Sequence, residues 1–339
     1  MAEIAVLDSD RRQIDLDTFE RHLGGFNTDR IALDRGNIDA TIDLNRDLDL
    51  SSYRGIYVRV GEITEAVFER SDSLEIVSTC GSGYDHVDVG AATEHGVIVT
   101  HTPEAPAPGA VEHTFGFIFT LLSEFPSMFE QTAAGGWTEG QVTVNELYDR
   151  TLGIVGLGTI GSKIARIARN SFNADVIAYD PYVDGTKQSE IYPRMDREEM
   201  DAVGVRLVDK ETLFQSASVV TMHVPLTPDT EQMVSTPELE ALEDGYFINL
   251  SRGGVVDEDA LIDATERALL SGVALDVMVE EPPDPSHPLL DAPNVYVTPH
   301  IAGGKEGYTK RSARINGERM RATLQGRVPD NVVNPAVLR

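Results

Sequence analysis

Three charged side chains in the C-terminal third of the chain are of types that suit reversible hydride transfer. Arg252, Glu281 and His300 each follow a short β-rich run. Arginine can hold a carboxylate through two hydrogen bonds and polarise a neighbouring carbonyl. Histidine can deliver a proton near neutral pH, and a carboxylate beside it orients the ring and favours its charged form. These are the candidate catalytic residues, although spacing alone also fits a turn cap, a solvated loop charge and an interior histidine.

A glycine-rich turn upstream predicts a site for a dinucleotide. The segment Gly156-Leu157-Gly158-Thr159-Ile160-Gly161 follows an apolar run and precedes a helical pattern. In such a turn the first glycine permits the tight bend, the second lets the backbone approach a pyrophosphate, and the third lets the helix pack close to the strand. The free amides and the dipole of the helix N-terminus then hold the phosphates.

Asp180 favours NAD over NADP as the cofactor. It ends the next predicted strand after the glycine-rich turn. A carboxylate there can accept hydrogen bonds from the ribose hydroxyls and would repel a 2′-phosphate. The next basic residue along the chain is Lys187. We therefore predict NAD(H), and no metal, as the cofactor.

The elements that position these residues alternate between β-rich runs and helical patterns, which is typical of βα units and parallel sheets. The predicted strands cover residues 3–7, 30–33, 56–60, 76–79, 97–100, 152–156, 175–180, 205–208, 219–223, 246–250, 273–276 and 295–298. Helices are predicted over 63–70, 88–95, 110–122, 162–168 and 304–324. The proline-rich stretch 102–109 predicts a linker. Residues Asp184 to Gly204 predict a polar surface insertion with some helix.

Composition excludes several classes of partner. The 339 residues contain 56 acidic and 28 basic side chains, a formal charge of −28. Such an acidic balance disfavours binding to nucleic acids or to anionic membranes, because a protein binds either of them through a basic surface. The acidic residues are spread along the chain and only 5 of the basic residues are lysines. This surface predicts a halophilic source, where salt screens the self-repulsion; an acidic mesophilic protein is the alternative.

Cysteine content and the N-terminus predict a cytoplasmic protein. Cys80 is the single cysteine, so no internal disulfide is possible, which suits a reducing compartment. The first residues lack the basic segment of a signal peptide. The longest apolar run is too short to span a bilayer.

The motifs together resemble the D-isomer-specific 2-hydroxyacid dehydrogenase family. They occur in the family's order and cover residues 156–161, 179–182, 223–227, 249–257, 274–282 and 298–303. The resemblance implies reversible hydride transfer between NAD(H) and a small D-2-hydroxy acid or 2-keto acid. Arg252 would bind the substrate carboxylate and carbonyl, His300 would be the acid/base, and Glu281 its partner. Glu281 is chosen over Glu280 because the family's acid directly precedes the proline.

The resemblance also assigns binding residues. Asp276 would hold the nicotinamide carboxamide. The amides of Gly81, Ser82 and Gly83 would bind the substrate carboxylate. Arg252 and His300 would also contact the substrate. Further residues that would line the cofactor are Thr114, His223, Pro225, Leu250 and Ser251.

The implied architecture is α/β, with two Rossmann-like or flavodoxin-like parallel-sheet domains. Residues 1–103 plus 299–339 would form a discontinuous substrate-binding domain, and residues 104–298 the NAD-binding Rossmann domain. The family usually dimerises through the cofactor domain, so a homodimer is expected.

Two alternatives stay open at this point. Family members that act on phosphoglycerate often have Arg-Ser-x-Thr where this chain has Arg59-Val-Gly-Glu62, and several relatives have arginine at Thr79. These departures, with a chain that ends without a regulatory domain, favour a glyoxylate or hydroxypyruvate type of reductase, or a broad 2-keto acid reductase, over a D-3-phosphoglycerate dehydrogenase. The second alternative is an NAD-sensing corepressor. Corepressor relatives carry a bulky aromatic after the histidine, whereas Gly303 and Gly304 stand here, so an enzyme is favoured.

Overall fold

The computed structural model describes residues 3–9, 13–33, 50–137, 139, 143–183, 194–304 and 306–338. Within this part of the chain the residues form two compact units. The first contains residues 3–107 and 303–338, and the second contains residues 108–302. Each unit is built around a parallel sheet, as the alternation of β-rich and helical segments predicts.

Five described strands form the sheet of the first unit. They are β1 (Ile4–Asp8), β2 (Thr28–Ala32), β3 (Gly55–Val58), β4 (Ile76–Thr79) and β5 (Ile98–Thr100). Their order is β2-β1-β3-β4-β5, and all neighbouring pairs are parallel. This is the flavodoxin-like order of a doubly wound sheet.

Seven described strands form the sheet of the second unit. They are β6 (Thr151–Val155), β7 (Asp175–Tyr179), β8 (Val205–Leu207), β9 (Val219–Met222), β10 (Tyr246–Asn249), β11 (Gly272–Leu275) and β12 (Val295–Val297). Their order is β12-β11-β10-β9-β6-β7-β8, all parallel. The strand order reverses between β6 and β9, which is the Rossmann arrangement and places ligands at the carboxyl ends beside that switch.

Helices flank the strands along the described chain. They are α1 (Leu16–Leu23), α2 (Glu65–Glu69), α3 (Val89–Glu94), α4 (Ala107–Leu122), α5 (Phe125–Ala133), α6 (Gly161–Phe172), α7 (Arg197–Val203), α8 (Lys210–Ser216), α9 (Thr236–Ala241), α10 (Glu258–Glu266), α11 (Pro288–Asp291) and α12 (Tyr308–Leu324). Short 3₁₀ turns cover Gly253–Val255 and Pro335–Leu338. No described helix has both the length and the apolar character needed to cross a bilayer.

Both faces of the seven-stranded sheet are covered by apolar side chains. Ile154 and Ile248 belong to one buried cluster, whereas their neighbours Val155 and Phe247 belong to another. Adjacent residues of a strand point to opposite faces, so the two clusters lie on the two sides of the sheet. This burial explains why the strands read as nearly continuous apolar runs.

Two expectations about connecting segments needed correction. The predicted linker over 102–109 is shorter, because α4 already begins at Ala107 and includes Pro108. Proline is tolerated in a first helical turn, where its missing N–H leaves no bond unmade. The C-terminal helix begins at Tyr308, not at Gly304, after the left-handed Gly307. Of the predicted insertion, residues 184–193 lie outside the described chain, and α7 is the helix expected in the remainder.

Candidate active site

The glycine-rich turn is fixed by steric exclusion at two of its glycines. Gly156 has φ +96°, and a Cβ there would lie 2.6 Å from the His223 carbonyl oxygen. A Cβ on Gly161 would lie 1.9 Å from the Gly156 carbonyl oxygen. A Cβ on Gly158, by contrast, would meet no described atom within 4 Å. The first and third glycines are therefore required by packing, and the second borders open space where a ligand can approach.

The same turn carries an unsatisfied polar atom that suits a phosphate. Thr159 Oγ1 is buried and has no hydrogen-bond partner among the described residues. A buried hydroxyl without a partner is costly, and a pyrophosphate oxygen at the N-terminus of α6 would satisfy it. The residues of the turn therefore fit the phosphates of a dinucleotide.

Asp180 lies at the end of β7, and its carboxylate is buried against the turn. Oδ2 accepts a hydrogen bond of 2.9 Å from the Leu157 amide, and Oδ1 accepts one of 2.9 Å from the Tyr182 amide. Arg194, which the sequence reasoning missed, has its Nε 3.7 Å from Asp180 Oδ2. Its guanidinium carbon lies 4.3 Å from the centre of the Tyr182 ring. The acidic group expected at the ribose therefore has a cation beside it.

His300 and Glu281 form a pair beyond the carboxyl ends of β11 and β12. His300 Nδ1 lies 2.7 Å from Glu281 Oε2, and Glu281 Oε1 accepts a bond of 3.2 Å from the Met278 amide. His300 has the left-handed φ of +52°, and 42% of its side chain is exposed. The imidazole is thus fixed through Nδ1, and Nε2 is the nitrogen left to face a ligand.

The electrostatics of the pair keep Glu281 ionised. Burial raises the pKa of the Glu281 carboxyl, but the hydrogen bond and charge of His300, the Met278 amide and the charge of Arg252 together lower it below its usual value. The ionised carboxylate accepts a hydrogen bond from the ring and so holds the His300 imidazole in one orientation.

Asp276 holds the loop that carries His300. It follows β11, is 1% exposed, and accepts hydrogen bonds from the amides of Ile301 (2.9 Å) and Ala302 (2.8 Å). The Thr298 hydroxyl donates a third bond of 2.5 Å to Oδ1. Asp276 was expected to bind the nicotinamide carboxamide; the structure shows a carboxylate already committed to the histidine loop.

Several supporting residues were not found from the sequence. His113 Nε2, on α4, lies 3.1 Å from the Thr298 hydroxyl oxygen, so a chain of hydrogen bonds leads from α4 to Asp276. On the Glu281 side, Glu258 Oε2 accepts a bond of 3.1 Å from the Val279 amide, and its Oε1 lies 3.1 Å from His287 Nε2. No sequence motif links these partners, because they come from distant positions in the chain.

Arg252 lies in the loop after β10, and backbone contacts define that loop. Asn249 accepts bonds from the Ser251 amide (3.0 Å) and hydroxyl (2.8 Å) and donates to the Arg252 carbonyl (2.9 Å). A Cβ on Gly253 would lie 2.1 Å from the Met278 carbonyl. The β10 loop therefore packs directly on the segment that precedes Glu281, which brings Arg252 and Glu281 to the same edge of the sheet.

The other predicted cofactor residues lie at or near this edge. His223 follows β9, its Nε2 is 2.9 Å from Thr221 Oγ1, and burial lowers the pKa of its ring to about 3, so the ring is neutral at physiological pH. Thr114 is buried on α4 and donates to the Ala110 carbonyl (2.8 Å). The remaining three, in the loops after β9 and β10, are Pro225, Leu250 and Ser251.

The predicted substrate loop, Gly81 to Gly83, belongs to the first unit and follows β4. The Gly81 carbonyl accepts a bond of 2.6 Å from the Thr102 amide, and the Ser82 carbonyl lies 2.9 Å from His101 Nδ1. The Tyr308 hydroxyl donates to the carbonyl of Cys80, just before the loop. The loop carbonyls are thus held by neighbouring elements of the same unit.

Metal ligation is not indicated in the described chain, where no group of three His, Cys, Asp or Glu side chains could hold an ion. The fold and the turn define a dinucleotide-binding α/β protein with a histidine–carboxylate pair. Residues 115–302, more than half of the chain, match the family described as D-isomer specific 2-hydroxyacid dehydrogenase, NAD binding domain. The chain belongs to this family.

Similar proteins agree with that assignment. The chain is 34% identical to a D-3-phosphoglycerate dehydrogenase of Methanocaldococcus jannaschii, over 82% of this chain and 51% of that protein. It is 32% identical to a glyoxylate reductase of Thermofilum pendens, over 82% and 80%. A D-lactate dehydrogenase structure from Aquifex aeolicus, complexed with NAD and lactic acid, is 25% identical with a TM-score of 0.78, over 95% and 96%. The chain spans about half the length of the phosphoglycerate dehydrogenases it matches.

Proposed function

We propose that the protein is an NAD-dependent oxidoreductase that interconverts a small D-2-hydroxy acid and the corresponding 2-keto acid. The observation that carries the proposal is the His300–Glu281 pair, 2.7 Å apart, at the same sheet edge as Arg252. Family membership and the Rossmann sheet support it.

The residue roles follow from what each group can still do. Nδ1 of His300 is occupied by Glu281, so Nε2 would give a proton to the substrate carbonyl oxygen or take one from the hydroxyl. The ionised Glu281 stabilises the ring while it carries the proton. Arg252 would hold the substrate carboxylate through two parallel N–H bonds and polarise the carbonyl. Gly81, Ser82 and Gly83 remain proposed ligands of the same carboxylate on the basis of family resemblance.

The cofactor would lie along the turn and the ends of β6, β7 and β9. Gly156 to Gly161 would hold the pyrophosphate, Asp180 the ribose, and His223, Pro225, Leu250, Ser251 and Thr114 would line the remainder. Bound NAD(H) supplies or accepts the hydride. Asp276 keeps the histidine loop in place and retains lone pairs for the carboxamide.

Two substrate classes compete. A glyoxylate or hydroxypyruvate type of substrate fits the loss of the Arg-Ser-x-Thr pattern at Arg59 to Glu62, and the glyoxylate reductase of T. pendens is matched over most of its length. The phosphoglycerate dehydrogenase relatives favour 3-phosphohydroxypyruvate instead.

The deciding experiment measures NADH oxidation in molar KCl with glyoxylate, hydroxypyruvate, pyruvate, branched 2-keto acids and 3-phosphohydroxypyruvate. Turnover with the unphosphorylated acids supports the reductase, and turnover confined to the phosphorylated acid supports the phosphoglycerate dehydrogenase. Tight NADH binding without turnover on any of them would contradict an enzyme and support the corepressor-like sensor. Cytoplasmic location and a halophilic source stay predictions.

A homodimer is also proposed, formed through the second unit. Exposed apolar side chains cluster along residues 125–148, and the rings of Phe125 and Phe129 stack 5.7 Å apart. Phe129 and Trp137 are 68% and 75% exposed, which is unusual for a monomer and typical of an interface. Light scattering should give the dimer mass for the wild type and the monomer mass for Phe129→Glu; a monomeric wild type would contradict the proposal.

A further inference from the structure

We propose that Arg194 is a specificity-determining residue of the cofactor site that lets the protein bind NADPH as well as NADH. The inference rests on the proposed function, because it concerns the adenosine end of the same dinucleotide site. The sequence favoured NAD over NADP, because Asp180 directly follows β7 and the next basic residue along the chain is Lys187. The structure places a different cation at that carboxylate.

The first step concerns charge at the ribose position. A lone acidic residue at the end of the second Rossmann strand binds the 2′-hydroxyl and repels a 2′-phosphate, whereas a nearby arginine accommodates the phosphate. Here Arg194 Nε is 3.7 Å from Asp180 Oδ2, so the positive charge of the guanidinium lies beside the carboxylate. The local charge is that of an ion pair instead of a single anion, and the repulsion of a 2′-phosphate is offset.

The second step concerns the commitment of Asp180. Both carboxylate oxygens accept backbone amide bonds of 2.9 Å, from Leu157 and Tyr182. The residue is only 4% exposed. A carboxylate that fastens the turn in this way has less of its charge and fewer of its lone pairs directed at the ribose, so its power to discriminate against a phosphate is reduced.

The third step concerns the orientation of Arg194. Its guanidinium lies over the Tyr182 ring at 4.3 Å, and 15% of its side chain is exposed. Stacking on an aromatic ring fixes the plane of the guanidinium and lowers the entropy lost when its N–H groups bind a phosphate in bidentate fashion. The arginine is therefore held in place before any ligand binds.

The test compares two adenosine fragments, so that it does not depend on turnover. Calorimetry at fixed KCl should give Kd values for adenosine 2′,5′-bisphosphate and for 5′-AMP that lie within about tenfold of each other in the wild type. In Arg194→Gln the bisphosphate should bind at least tenfold more weakly, and 5′-AMP should change by less than threefold. Arg194→Lys keeps the charge without the planar fork and should be intermediate.

Arg197→Gln is the matched control, because Arg197 is exposed on α7 and its loss changes the net charge equally. It should leave both Kd values unchanged. At higher KCl the Kd values of wild type and Arg194→Gln for adenosine 2′,5′-bisphosphate should move closer together, because salt screens the interaction between charges. Thermal melting of each variant checks that the fold is retained.

Kinetics with NADPH and NADH give the second readout. Arg194→Gln should lower kcat/KM for NADPH at least tenfold and for NADH less than threefold. Equal losses for both cofactors, or an unchanged ratio of the two fragment affinities, would overturn the role of Arg194. Absence of turnover with either cofactor in the wild type, with fragment selectivity intact, would count against the proposed function and leave this inference standing.

Discussion

Two regions at the carboxyl edge of the seven-stranded sheet, where the proposed site lies, are held in place by different kinds of force. The dinucleotide half, Gly156–Gly161 after β6, is set by close contacts in which a single Cβ would collide with backbone. The histidine half consists of Glu281 and His300 beyond β11 and β12. It is held by hydrogen bonds to two carboxylates, one from His300 to Glu281 and two from the backbone of the histidine loop to Asp276. Steric exclusion is local in sequence and is all-or-none, whereas the polar network is assembled from distant loops and can be weakened in steps.

The largest expected effect tests the steric half. Gly161→Ala places a Cβ 1.9 Å from the Gly156 carbonyl oxygen, so the backbone must move. We expect a loss of more than about 4 kcal/mol in the free energy of unfolding, or no folded protein at all, despite the better helix propensity of alanine. Soluble yield and urea unfolding at fixed KCl provide the measurement.

Gly158→Ala is the matched control for that variant, because its Cβ meets no described atom within 4 Å. Its free energy of unfolding should stay within about 0.5 kcal/mol of the wild type. NADH binding should nevertheless weaken at least tenfold, because the methyl group would stand where the pyrophosphate approaches. Equal stability losses in the two variants would remove the distinction between packing and ligand-facing glycines.

The next largest effect tests the histidine half. His300→Gln removes the group proposed to carry the proton, and kcat should fall about 10³-fold, within the range for loss of general acid–base catalysis. The Kd for NADH should change by less than threefold. His22→Gln, on α1 of the other unit, should leave kcat unchanged. Turnover of His300→Gln close to the wild-type value would show that another group carries the proton.

The same contrast explains how far the sequence could be interpreted. The strands were predicted to within about two residues and the turn glycines individually, because both depend on local patterns such as apolar runs and a six-residue motif. Thr298 and His113 were missed because their hydrogen bonds join residues 22 and 185 positions apart. Arg194 was missed for a related reason: it reaches Asp180 only through the fold. The linker was misplaced because proline is compatible with a first helical turn.

An intermediate effect probes whether the polar network acts on catalysis. Thr298→Val keeps the side-chain shape but removes the hydroxyl that donates to Asp276. Because the Asp276 carboxylate fixes the histidine loop, kcat should fall about tenfold, equivalent to about 1.4 kcal/mol. Thr298→Ser restores the hydroxyl and should recover most of the rate. A loss of kcat in Thr298→Ser as large as in Thr298→Val would indicate that Thr298 acts through packing alone. The Kd for NADH is measured in the same variants, because an effect on the histidine loop should leave it unchanged.

The smallest expected effect is a contribution of His223 to the pH dependence of stability. His223 follows β9, which lies between β6 and β10 in the sheet. Burial lowers the pKa of its ring to about 3 in the folded chain, against about 6.5 when unfolded. Above pH 6.5 both states are neutral and His223 gives no pH dependence. Below it the unfolded chain takes up a proton that the folded chain does not, so the free energy of unfolding falls, by about 1 kcal/mol at pH 5.5 after allowance for partial exposure. In His223→Gln the fall measured by urea unfolding between pH 7.5 and 5.5 should be smaller by that amount. A fall as large as that of the wild type in His223→Gln would show that the ring takes up its proton without unfolding.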